Sequence, residues 1–163
     1  MRIAEGRFVR IRYVRAEEHQ VLVALEKNEE AKRFVGGPNR KSDASMMDML
    51  KNPLPETMYW AVATSSEDIF VGRCGLLPTE EPEPSLEVHC VLEPAHWRKG
   101  FGKEVFAMLA RVVIEKERKA VAYVHAENKA SQVVLHCAGY IRDGICLKSG
   151  EQYGHFRYVY AGG

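Results

Sequence analysis

Between Leu86 and His125 an apolar strand, a basic turn holding two glycines, a long amphipathic helix and a second apolar strand follow one another without interruption. No other stretch restricts the fold as much. Residues 86–92 (LEVHCVL) and 120–125 (AVAYVH) have the apolar, β-branched character of buried strands. Between them Phe101, Val105, Met108, Leu109, Val112 and Val113 recur at steps of four, three and one, which predicts a helix over residues 102–117 with one apolar stripe. A strand–helix–strand crossover needs a sheet to lie on, so the remaining elements are expected to complete one.

The flanking segments supply it. Residues 7–15 (RFVRIRYVR) alternate apolar and basic side chains, the pattern of a strand with one buried face. Residues 17–34 carry Val21, Leu22, Leu25 and Ala31 at helical spacing and read as one helix, broken by Gly36-Gly37-Pro38-Asn39. Ser42-Asp43 caps a second helix over 44–51, whose Met46, Met47 and Met49 suit gap-filling core or pocket wall. Residues 58–64 and 69–77 form a hairpin about the polar turn 65–68, and the acidic, proline-rich stretch 78–84 reads as a loop. A short helix over 130–138 ends at Gly139, and strands 141–147 and 153–160 close the chain around 148–151. The expectation is one domain over residues 1–163 of α/β class, with a mixed, mostly antiparallel central sheet flanked by helices.

A formal net charge of +1 argues against a broad nucleic-acid or membrane-surface footprint. No run approaches the roughly 20 apolar residues that span a bilayer, and Arg2, Arg7, Arg10, Arg12 and Arg15 interrupt the start where a signal peptide would be apolar. Cys74, Cys90, Cys137 and Cys146 are widely spaced without a CxxC, which suits reduced thiols and a cytoplasmic location. His89-Cys90 and His136-Cys137 are adjacent pairs. In a strand neighbours such as His89 and Cys90 point to opposite faces and cannot easily chelate together, and no metal is expected.

The turn Trp97-Arg98-Lys99-Gly100-Phe101-Gly102-Lys103 carries the most specific chemistry. A helix N-terminus offers free N–H groups and partial positive charge, and glycines let an anion approach the backbone. Cations there lie on the wrong side of the dipole, each by about 0.3–1 kcal/mol, and Glu104 offsets only part of Arg98, Lys99 and Lys103. A bound polyanion reverses that sign. A dinucleotide fingerprint needs glycine where Val105 stands, and a Walker loop needs glycine at Trp97 and a hydroxyl at Glu104. Both fail.

The surviving pattern resembles the coenzyme A loop of the GNAT superfamily of N-acetyltransferases, Gln/Arg-x-x-Gly-x-Gly/Ala. Its Trp-x-Lys-Gly-Phe-Gly form is similar to the RimJ/RimL branch. Asn128-Lys129-Ala130-Ser131 with Gly139-Tyr140 resembles that branch's Asn-x-x-Ser…Gly-Phe segment, and Leu86-Glu87-Val88 its Glu-Ile-Gly strand opening. The likeness implies the acyl-CoA N-acyltransferase fold, acetyl-CoA as co-substrate, and an amine acceptor that is a peptide N-terminus or a small molecule, with a homodimer possible. It implies that Val91 and Leu92 hydrogen-bond the pantetheine arm, that amides of Arg98 to Lys103 hold the pyrophosphate, and that Asn128 and Ser131 line the arm near the thioester.

Glu87 is the candidate base and Ser131 or water the proton donor, because the position where many of these enzymes carry a tyrosine is Leu135. Glu87 equally suits a cross-strand salt bridge, His89 a hydrogen-bonded packing role, and Asn128 with Ser131 a helix cap. An acyl-CoA-binding module without turnover, and a phosphate-recognising module for another nucleotide or RNA, are the competing readings. The acceptor pocket is expected among the first two helices, the cluster around Met46 and the hairpin around Tyr153 and His155.

Overall fold

The structure, a computed structural model, describes residues 2–146 and 154–162, Cys146 by its backbone alone. In chain order the elements are β1 (Arg2–Glu5), β2 (Val9–Arg12), α1 (His19–Glu26), α2 (Glu29–Lys32), α3 (Asp43–Lys51), β3 (Met58–Thr64), β4 (Phe70–Pro78), β5 (Ser85–Leu92), α4 (Phe101–Glu115), β6 (Lys119–His125), α5 (Lys129–Cys137), β7 (Tyr140–Cys146) and β8 (His155–Tyr160), with 3-10 turns at Ala16–Glu18 and Pro94–His96. They build an 8-stranded sheet in the order β1-β2-β3-β4-β5-β6-β8-β7. Among the described strands only β5 and β6 run parallel; the other neighbours are antiparallel. This is the mixed sheet that the sequence predicts, with the crossover helix α4 joining its parallel pair.

The sheet is covered on both faces. On one, Val105, Leu109 and Val113 of α4 are fully buried against Val9, Val62, Val71, Leu76 and Val88, and Leu135 of α5 joins them. On the other, Leu22, Leu25 and Ala31 of α1 and α2 meet Val91 in a smaller cluster. Successive β5 residues therefore alternate between these two layers, as a strand period of 2 requires.

Two sequence expectations change. The segment 17–34 is not one helix: Asn28 leaves the helical region (φ −73°, ψ 117°), and its side chain accepts from the Ala31 N–H at 2.9 Å, starting a new helix after α1. The first strand is shorter than 7–15 and gains a partner, because β1 folds back through Gly6 and pairs with β2. The arginines of this region are locked locally. Arg12 is buried in a fork with Glu18 (2.6 and 2.9 Å) and also donates to Asp68 (2.9 Å). The turn 148–151 and Tyr153 lie outside the described residues. No helix among the described residues is long and apolar enough to cross a membrane.

Candidate active site

β5 and β6 begin as a parallel pair and then part. Their register covers only Ser85↔Lys119, Leu86↔Ala120 and Glu87↔Val121, although β5 continues to Leu92 and β6 to His125. Beyond Glu87, β6 stays bonded on its far side to β8 through His125↔His155. A fork therefore opens between the two strands, with Glu87 at its apex.

Ladder alternation decides which β5 groups face this fork. Glu93 donates its N–H to Val71 across β4, and the Val91 carbonyl also lies on the β4 side, 2.5 Å from where a Cβ on Gly72 would stand. Val91, expected to bind the pantetheine arm, therefore turns its backbone away from the gap. Leu92 and Cys90 turn theirs towards it. The Leu92 carbonyl accepts from the Trp97 indole N–H at 3.1 Å, which ties the turn to the end of β5. The Cys90 N–H is the first donor past the last β5–β6 pair on this side.

The fork leads directly into the basic turn. Arg98 (φ 62°) and Gly100 (φ 80°) both adopt the left-handed region, which curls successive N–H groups into a concavity suited to an anion. For Arg98 that conformation is strained by roughly 1–2 kcal/mol, a cost that local packing does not explain since the side chain is exposed. Gly100 is the N-cap of α4 and supplies no side-chain cap; a Cβ built on it meets nothing within 4 Å. Gly102 is different: a Cβ built on it would stand in ordinary contact with Val134 and Leu92, at 3.4 and 3.9 Å. The N–H groups of residues 98–103 find no acceptor among the described residues.

Arg98, Lys99 and Lys103 are exposed, and none forms an ion pair with a described carboxylate. Lys99 lies over Phe101 and beside His96 Nδ1 (3.3 Å). Glu104, the nearest carboxylate, is used elsewhere, accepting from the Phe8 N–H through both oxygens at 3.0 and 3.1 Å. This cradle fits a coenzyme A pyrophosphate: open space over a glycine, free donors and unneutralised cations coincide there.

Asn128 and Ser131 do come together. Asn128 is the N-cap of α5, accepting from the Ser131 N–H (3.2 Å) and donating its amide to the Ser131 hydroxyl oxygen (3.0 Å). The pair is thus a helix cap first, standing just past the end of β6. Leu135 is fully buried, and Tyr140 is core, donating its hydroxyl to the Phe106 carbonyl at 2.9 Å.

What the sequence did not disclose is the charged cluster under the α1–α2 face of the fork. Glu26 of α1 accepts from Arg73 (2.5 Å) and from Lys32 of α2 (2.8 Å), and all three are buried. Arg73 also lies 5.0 Å from the Tyr59 ring centroid and 2.6 Å from His89 Nδ1. A guanidinium only donates, so Nδ1 accepts and the proton of the neutral ring is on Nε2. Burial, with Arg73 and Lys32 nearby, holds the His89 pKa well below its ordinary value. His89 has no lone pair left to act as a base. The signal was present in the alternation Arg73, Gly75 and Glu87, His89, but buried ion pairs from separate elements are invisible to periodicity. Among the described residues no group of three or more His, Cys, Asp or Glu side chains is placed to hold a metal.

A forked parallel pair running into a basic, glycine-containing turn at a helix N-terminus suits an acyl-CoA-dependent transferase. Residues 9–141 match the family model for the acetyltransferase (GNAT) domain, and the chain belongs to that family. It is 20% identical over 142 residues to the uncharacterized N-acetyltransferase YoaA of Bacillus subtilis (strain 168), covering 83% of this chain and 80% of that protein. RimL, a ribosomal L7/L12 alpha-N-protein acetyltransferase solved with coenzyme A, superposes with a TM-score of 0.81 at 13% identity, over 98% of this chain and 97% of that one. The spermidine N-acetyltransferase from Vibrio cholerae, in complex with CoA and spermine, gives 0.79 at 13% identity, over 94% and 96%. The protein is therefore an N-acetyltransferase of the GNAT family, with acetyl-CoA as its co-substrate.

Proposed function

We propose that this enzyme acetylates the primary amine of a peptide N-terminus or of a small molecule by direct attack of the neutral amine on the thioester. The observation that carries this reading is the fork. Its unpaired β5 edge ends in a turn whose free N–H groups and cations suit a pyrophosphate. The amides of Arg98 to Lys103, with Trp97 bracing the turn, hold the pyrophosphate; Cys90 and Leu92, rather than Val91, offer backbone groups to the pantetheine arm. The Cys90 N–H faces the position where the carbonyl oxygen gains charge.

Glu87 at the apex takes the amine's proton, directly or through water, and Ser131 or a water returns one to the departing thiolate. An α-amine of pKa near 8 needs about 1.4 kcal/mol to be neutral at pH 7, a lysine near 10.4 about 4.6. A weakly basic α-amine can therefore lose its proton through water, whereas a lysine needs a committed base. Acyl-CoA binding without turnover is the second reading, favoured by the fully buried Leu135 at the expected tyrosine position.

Thermal shift separates these from a nucleotide-binding role. Coenzyme A at 100 times its Kd is expected to add about 2.7 kcal/mol of stability. Stabilisation by ATP but not by coenzyme A overturns both readings. Release of free thiol from acetyl-CoA in the presence of amines then distinguishes enzyme from binder.

A further inference from the structure

On the α1–α3 side of the sheet lies a cavity of about 330 Å³, lined by Tyr13, Val14, His19, Leu50, Tyr59 and Trp60, with Pro53, Thr57 and Met58. Among the described residues no carboxylate, lysine or arginine lines it, and His19 is its one titratable nitrogen base. Val14 and Leu50 also pack on the cluster of Leu22, Leu25 and Val91, so the cavity wall is continuous with the layer that covers β5. Tyr59 pairs with Gly75, and Gly75 with His89, two residues past the fork apex at Glu87. Cavity and fork are thus level, about 10 Å apart at two strand spacings.

Gly75 keeps that row tight. A Cβ on it would stand 1.8 Å from the Met58 carbonyl oxygen and 2.8 Å from His89 Nε2.

The charges behind this wall discriminate between acceptors. The Glu26 carboxylate is saturated by Arg73 and Lys32. Tyr59 already holds the Arg73 guanidinium against its ring, so a second cation at that ring would meet like charge. An ammonium in the cavity would find no counter-ion in the lining and a buried guanidinium beyond it.

We propose that this cavity is the acceptor's specificity pocket and takes the uncharged, apolar or aromatic body of an amine whose nitrogen lies about 10 Å away at the fork. The inference rests on the amine acetylation proposed above, and it excludes polyamines as preferred acceptors.

The test uses the full-length protein, thiol release from acetyl-CoA, and three probes: Leu-Phe amide, Leu-Asp amide and spermidine. The expected result is a kcat/KM for Leu-Phe amide at least about 10-fold above the other two. Tyr13 is exposed, so Tyr13→Ala should fold, raise KM for Leu-Phe amide about 10-fold and leave kcat and coenzyme A affinity unchanged. Thr57→Asp, which puts a carboxylate in the lining, should shift the preference towards spermidine. Equal or better use of spermidine by the unmodified enzyme, or an unchanged KM in Tyr13→Ala, overturns the pocket and leaves acetyl transfer standing. Coenzyme A binding without thiol release for any probe overturns both.

Discussion

At the residue scale, Gly100 separates the proposed phosphate cradle from an ordinary helix start. A side chain there meets no atom within 4 Å, so the fold has room for one, at the strain of a positive φ. Gly100→Glu should therefore leave the protein folded, less stable by about 1–2 kcal/mol, while abolishing coenzyme A binding in calorimetry, because a carboxylate would occupy the anion's position. Unchanged affinity would refute the placement of the pyrophosphate. Gly100 and its cations were legible in the sequence, since local spacing encodes a loop-to-helix junction. Val91 was not placed correctly: register across β4, which no one-strand pattern contains, turns its carbonyl away from the fork. His89 as a packed, hydrogen-bonded histidine was readable, but its partner Arg73, sixteen residues earlier in the chain, was not.

At the element scale, the crossover, the hairpin of β3 and β4, and α5 were legible because each follows from a period of 2 or 3.6 within one segment. The break at Asn28 and the strand β1 were missed. The first is a cap inside an otherwise helical pattern, and the second is stabilised by pairing rather than by its own four residues. The loop after β4 hides a similar long-range tie. Glu81 grips Arg157 of β8 through both oxygens (2.6 and 2.7 Å) and also accepts from Tyr123 of β6. Hydrogen bonding from Arg157, then from Tyr123, holds its carboxyl down at about 2 against an ordinary 4.5. A depressed acid stabilises the fold above its ordinary value and loses that contribution as pH falls through the folded value. Glu81→Gln should cost about 2 kcal/mol at pH 7, a melting-point drop of roughly 4–8 °C. In melts across pH, the gap from the unmodified protein should narrow below pH 4.5 and close near pH 2. A gap independent of pH would show that the Glu81 charge does not clamp the loop.

At the scale of the whole molecule, two unlike layers sandwich one sheet. The α4–α5 layer is held by a large apolar core, whereas the α1–α2 layer combines a small apolar cluster with the buried Glu26, Lys32 and Arg73. That asymmetry suits the division of labour proposed for the two faces, with the acyl donor's phosphate held beside the α4–α5 layer and the acceptor met beside the α1–α2 layer. Arg73 is the joint between the polar layer and the sheet. Removing one partner of a buried charge cluster leaves the others exposed to an apolar interior, which costs about 3–5 kcal/mol. In Arg73→Met, Glu26 keeps Lys32, so the loss should fall at the lower end, about 3 kcal/mol, or roughly 6–12 °C in melting temperature. The damage should also be one-sided. Coenzyme A affinity, set at the α4 turn, should change less than twofold, while kcat/KM for the amine should drop about 10-fold or more as α1 and His89 lose their anchor. Equal losses in coenzyme A affinity and in acceptor kinetics would show that the two layers are coupled through the sheet, and that the charged cluster supports the whole site rather than its acceptor side.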